Sequence, residues 1–128
     1  MKLLLDTHLL LWSAIRPAKL SGPARAMIAD ASHDLTFSAA SLWELAIKQG
    51  QGRADIPDDL RVFRAALLDA GWREIGVTGD HALAIGGFPP IHKDPFDRIL
   101  LAQAIVEGAL LLTADSMLAR YPGPVRLV

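Results

Sequence analysis

Four carboxylates stand where chemistry is easiest to build. Asp6 follows the apolar run Leu3-Leu4-Leu5, and Asp115 follows Leu110-Leu111-Leu112-Thr113 by two residues. Glu44 and Asp97 lie just inside two segments that read as helix starts, Ser41-Leu42-Trp43-Glu44 and Asp94-Pro95-Phe96-Asp97. Two carboxylates ~4 Å apart repel by roughly 4 kcal/mol at an effective dielectric of ~20. A cluster of four is therefore a liability unless a cation offsets it. Magnesium and manganese favour octahedral oxygen ligation and usually keep several waters, which suits a few carboxylates better than a closed cage. Such an ion polarises a phosphoryl oxygen and acidifies water, the two requirements of phosphodiester hydrolysis.

Each acid also has a purely structural use. Asp6 and Asp115 could cap the helices that follow them. Ser41 to Glu44 matches a capping box, and Glu44 with Lys48 forms an i,i+4 pair. Asp94 reads as an N-cap, with Asp97 favoured by the helix dipole. Only convergence in space distinguishes a site from four separate caps.

The elements that would bring them together alternate along the chain. Strands are expected over Lys2 to Asp6, Asp34 to Ser38, Trp72 to Val77, Ala109 to Thr113 and Val125 to Val128. Helices are expected over His8 to Ile15, from Ser21-Gly22-Pro23 onward, over Ser41 to Gln49, from Asp58-Asp59 to Ala70, over Asp80 to Ile85, from Asp94-Pro95 to Glu107, and over Asp115 to Tyr121. Gly86-Gly87-Phe88-Pro89-Pro90 must be loop. Solidly apolar strands separated by helices argue for a parallel sheet covered on both faces, a three-layer α/β/α fold. In such sheets ligands collect at the carboxyl ends of the strands, where Asp6 and Asp115 stand.

Composition sets the outer bounds. At 128 residues with 52% hydrophobic content, the chain suits one globular domain, residues 1–128, able to bury a core without staples. No repeat or linker marks an internal boundary. The absence of cysteine excludes a disulfide framework, a thiolate zinc site and a cysteine nucleophile, and fits a cytoplasmic location. No secretory leader is read, since Asp6 interrupts the opening apolar run, and no stretch approaches the ~18 apolar residues of a membrane span. Thirteen basic against fourteen acidic residues give a net charge of −1, without the basic excess common in nucleic-acid binders. Attraction for a nucleic acid would have to come from a bound cation or a local set such as Lys48, Lys93, Arg98 and Arg120.

Taken in order, Leu4-Leu5-Asp6-Thr7-His8, Ser41-Leu42-Trp43-Glu44-Leu45-Ala46-Ile47-Lys48, His92-Lys93-Asp94-Pro95-Phe96-Asp97-Arg98-Ile99-Leu100-Leu101-Ala102-Gln103-Ala104 and Leu112-Thr113-Ala114-Asp115 resemble the VapC-type PIN-domain toxins of toxin–antitoxin systems. Asp94-Pro95-Phe96-Asp97-Arg98 is the most specific element. The resemblance implies a PIN-like fold and a Mg2+-dependent endoribonuclease, with Mn2+ able to substitute. It also implies an RNA substrate, a VapB-type antitoxin and a homodimer. It makes Asp6 and Asp97 the metal ligands, completes the catalytic set with Glu44 and Asp115, and lets Thr7 and Thr113 orient these acids.

Other residues carry less. His92 and Lys93 could approach a phosphate, and Arg98 could meet RNA or an antitoxin carboxylate. Trp12 and Trp43 read as core or interface packing, while His8, His33 and His81 show no ligand spacing. Two alternative functions remain at this level. One is a non-catalytic binding module on the same fold. The other is a receiver-type signalling domain, which should show adjacent acids after strand one and an Asp ending strand three, where this chain has Val77-Thr78-Gly79.

Overall fold

The computed structural model describes residues 1–128. Five strands form one sheet: β1 (Lys2–Leu5), β2 (Asp34–Ser38), β3 (Arg73–Ile75), β4 (Leu110–Thr113) and β5 (Val125–Leu127). Their spatial order is β3-β2-β1-β4-β5, and every pairing is parallel. Six helices connect them: α1 (Thr7–Ile15), α2 (Gly22–Ala29), α3 (Ala39–Gly50), α4 (Leu60–Asp69), α5 (Gly79–Ala84) and α6 (Pro95–Glu107).

The leucine runs are explained by cover on both faces. Successive side chains of a strand point to opposite sides. Leu3 and Leu5 accordingly join a core with Leu9, Leu10, Leu45, Phe63 and Leu67, from α1, α3 and α4. Leu4 and Leu111 join a second core with Leu100, Leu101 and Ala104 of α6, and with Leu118 and Tyr121. Leu3, Leu4 and Leu5 are all fully buried, which only a sheet between two helical layers allows. Truncating one of them to alanine costs about 2–5 kcal/mol in such a site.

β1 and β4 lie side by side, in register from Leu3 opposite Leu110 to Leu5 opposite Leu112. From β1 the chain winds to one side through β2 and β3, then returns to the other side for β4 and β5. Strand order therefore reverses at β1 and β4, and their carboxyl ends open the crevice where ligands gather in open α/β sheets. Gly108, in the left-handed conformation (φ 67°), ends α6 and turns the chain directly into β4.

Several boundaries differ from expectation, and Gly86 and Gly87, expected in a loop, form a 3-10 turn with Ile85. α3 begins at Ala39, directly after β2, and its cap is Ser38, whose hydroxyl accepts from Ala40 N–H. The capping box expected at Ser41 to Glu44 is absent, and Glu44 falls in the second turn. Residues Asp115 to Tyr121 hold only a 3-10 turn at Leu118–Arg120, preceded by a local bond from Met117 N–H to Asp115 Oδ1. β3 is shorter than the expected Trp72 to Val77, since Trp72, Gly76 and Val77 lie outside the strand. No helix is long and apolar enough to cross a membrane.

Candidate functional site

All four acids line one open cleft of about 610 Å³ at the carboxyl end of the sheet, with His92, Lys93 and Asp94 on one side and Lys48 on another. The sequence-level candidates Asp6, Glu44, Asp97 and Asp115 are thus brought together. Arg98 and Arg120, grouped with Lys48 and Lys93 as possible phosphate contacts, are not part of its lining.

Each acid is placed by local structure. Asp6 caps α1, its Oδ1 accepting from Leu9 N–H at 2.8 Å. Its Oδ2 accepts from the Thr113 hydroxyl at 2.5 Å, tying the end of β1 to the end of β4. The same hydroxyl accepts from Asp115 N–H at 2.9 Å, so Thr113 locates two of the acids. Asp94 caps α6 through Phe96 and Asp97 N–H groups, which sets Asp97 in the first turn. Thr7, expected to orient an acid, donates instead to the Ser41 hydroxyl at 3.0 Å. That bond fastens α1 to α3.

Glu44 is buried and pairs with Lys48 at 3.0 Å through Oε2. Its other oxygen, Oε1, is buried with no hydrogen-bond partner. A buried carboxylate oxygen without a donor is costly, and such atoms are rare unless a ligand completes them.

The electrostatics agree with the geometry. Burial pushes the Asp97 carboxyl up to about 7, helped by the neighbouring charges of Asp94, Asp6 and Glu44, while His92 opposes the rise. Burial also raises Asp6, against the bonds from Thr113 and Leu9. Asp97, raised by burial and then by three neighbouring acids, marks a place where negative charge is concentrated.

His92 is the residue sequence reasoning undervalued. Its Nε2 lies 2.9 Å from Asp97 Oδ2 and 3.3 Å from Asp115 Oδ2. The ligand-type atoms of His92, Asp94 and Asp97 also cluster within 4.8 Å of one another. The only signal in the sequence was its position two residues before the Asp94 cap. Trp43, expected in core or interface packing, is not in the core: it is 65% exposed, with its ring edge-to-face against Phe96 at 5.1 Å.

The arrangement can take up a divalent cation on oxygen ligands in a polar, solvent-open cleft, to whose lining Lys48 and Lys93 add positive charge. Comparison with known proteins agrees with this architecture. The family model described as the PIN domain matches residues 3–124. Ribonuclease VapC22 of Mycobacterium tuberculosis is 33% identical over 125 residues, covering 95% of each chain. The crystal structure of VapBC2 from Rickettsia felis, bound to a DNA fragment from their promoter, superposes with a TM-score of 0.70 at 12% identity. That match covers 100% of this chain and 99% of the other. VapBC-1 from nontypeable Haemophilus influenzae superposes at 0.64 with 18% identity, over 99% and 98% of the two chains. At these identities the two structures speak for the fold.

Proposed function

The chain belongs to the PIN domain family, and from that premise we propose that it is a divalent-metal-dependent endoribonuclease, the toxin of a toxin–antitoxin pair. The observation that carries this reading is the four-acid cleft itself, with Glu44 Oε1 unpartnered and the Asp97 carboxyl pushed up to about 7. The kinship to a ribonuclease at 33% identity supports RNA as the substrate class.

The donor set fits Mg2+ or Mn2+: hard carboxylate oxygens, an open side for water, and no thiolate. Asp6 and Asp97 would hold the ion, with Glu44 and Asp115 completing its surroundings. The chemistry such an ion supplies when bound is polarisation of a phosphoryl oxygen and acidification of water. The protein's own groups do the rest. Thr113 holds Asp6 and Asp115 in place through its one hydroxyl. Lys48 balances one oxygen of Glu44 and leaves the other turned inward. Lys93, exposed at the rim, is free to meet the RNA backbone.

A VapB-type antitoxin and a second copy of the chain complete the proposal, and a cytoplasmic location follows from such an RNA target. The solved VapBC structures of like fold support the antitoxin.

The decisive assay uses purified chain free of any antitoxin on structured RNAs with single-stranded loops. Cleavage is expected in Mg2+ or Mn2+, abolished by EDTA, and reduced about a hundredfold or more in Asp97→Asn, equivalent to losing ~3 kcal/mol of transition-state stabilisation. EDTA-resistant cleavage, or an Asp97→Asn protein as active as the parent, contradicts the metal-dependent mechanism.

A further inference from the structure

We infer that His92 is a positioning residue, whose Nε2 holds the carboxylates of Asp97 and Asp115 at the spacing a divalent cation requires. This rests on the metal-site reading above and extends it to a side chain outside the four acids.

The two acids come from separate segments, Asp97 from the first turn of α6 and Asp115 from the turn after β4. Their remaining hydrogen bonds are local. Asp115 bonds to Thr113 and Met117, and Asp97 to Asp94 through its backbone. His92 alone spans them, at 2.9 and 3.3 Å. Octahedral bonds of about 2.1 Å place neighbouring ligand oxygens about 3 Å apart. Ionised carboxylates only accept hydrogen bonds, so an N–H aimed between two of them supplies the donor that holds them close.

The imidazole is delivered by a built support. Tyr121 is buried, and its hydroxyl makes two bonds to the backbone of His92. It accepts from His92 N–H and donates to His92 C=O, each at 2.8 Å. Phe88 packs edge-to-face against the Tyr121 ring at 5.9 Å. A loop residue held at both backbone groups by a core tyrosine has little freedom to carry its ring elsewhere. Partners that orient metal ligands in this way typically govern metal affinity by 10–100-fold.

The test is Mn2+ binding to the full chain, followed by electron paramagnetic resonance, with circular dichroism to check the fold. His92→Ala should weaken Mn2+ binding about 10–100-fold. His92→Asn, whose amide stops short of the acids, should do the same. His92→Gln, whose amide nitrogen reaches the position of Nε2, should restore most of the affinity. Tyr121→Phe should weaken binding through His92, so that the His92→Ala/Tyr121→Phe double variant is no weaker than His92→Ala alone. Spin-echo modulation of bound Mn2+ should show no directly coordinated nitrogen. Parent-like affinity in both His92→Ala and His92→Asn overturns the inference, and so does a nitrogen ligand to Mn2+, which would make His92 part of the coordination sphere. If the parent and Asp97→Asn bind Mn2+ equally, the metal-site reading itself falls and takes this inference with it.

Discussion

Two polar clusters of this molecule have opposite characters. On one side of the sheet, His81 of α5 is fully buried and fully satisfied. Its Nδ1 accepts from Thr78 N–H at 3.0 Å, and its Nε2 meets Glu107 Oε1 at the same distance. The Thr78 hydroxyl accepts in return from His81 N–H, completing a capping box. At the carboxyl end of the sheet, Asp6, Glu44, Asp97 and Asp115 are gathered with far fewer donors than acceptors, and Glu44 Oε1 has none. Native proteins pair their buried polar atoms almost completely. The satisfied cluster is thus part of the scaffold, and the unsatisfied one is an invitation to a cation.

The contrast is broken most forcefully from the satisfied side. His81→Ala opens a cavity and orphans both Thr78 N–H and Glu107, so it should destabilise the fold by about 2–4 kcal/mol. Urea unfolding should show that loss equally with and without Mg2+. A loss confined to one metal condition would mean that α5 belongs to the site.

A second effect, with a sign of its own, is expected from pH. In metal-free protein the Asp97 carboxyl is raised from 3.8 to about 7, so the folded chain binds that proton more tightly than the unfolded chain. The stabilisation is fully present below about 3.8 and lost as pH rises through about 7. Urea midpoints in EDTA should therefore fall for the parent between pH 4 and 8. They should fall less for Asp97→Asn, whose side chain stays neutral. Parallel curves would show that Asp97 feels no crowd of charges.

Much of this organisation was legible in the sequence, for physical reasons. Leu3-Leu4-Leu5 and Leu110-Leu111-Leu112 announce a doubly covered sheet because both faces of each strand are apolar. Asp94-Pro95 announces a helix start because cap and fixed φ act locally. Once the sheet is parallel, Asp6 and Asp115 fall at its carboxyl end without further information. The misses all depended on distant partners. Ser38 and Ser41 are both able caps, and the pairing of β2 with β1 and β3 decides between them. Thr7 donates to Ser41, on a different helix. His92 reaches two acids because Tyr121, 29 residues away, clamps its backbone.

The most direct test of the central claim, that these acids converge on a cation, needs no RNA. Parent and Asp97→Asn proteins are melted in EDTA and again in Mg2+ at neutral pH. In EDTA, Asp97→Asn should match or exceed the parent. Relief from neighbouring charges opposes the ~0.3–1 kcal/mol of helix-dipole stabilisation that it loses. Mg2+ at tenfold excess over its Kd should stabilise the parent by ~1.4 kcal/mol and the variant much less. If Asp97→Asn melts lower than the parent in EDTA and Mg2+ shifts both proteins equally, Asp97 is a helix-start residue and the cleft is not a metal site.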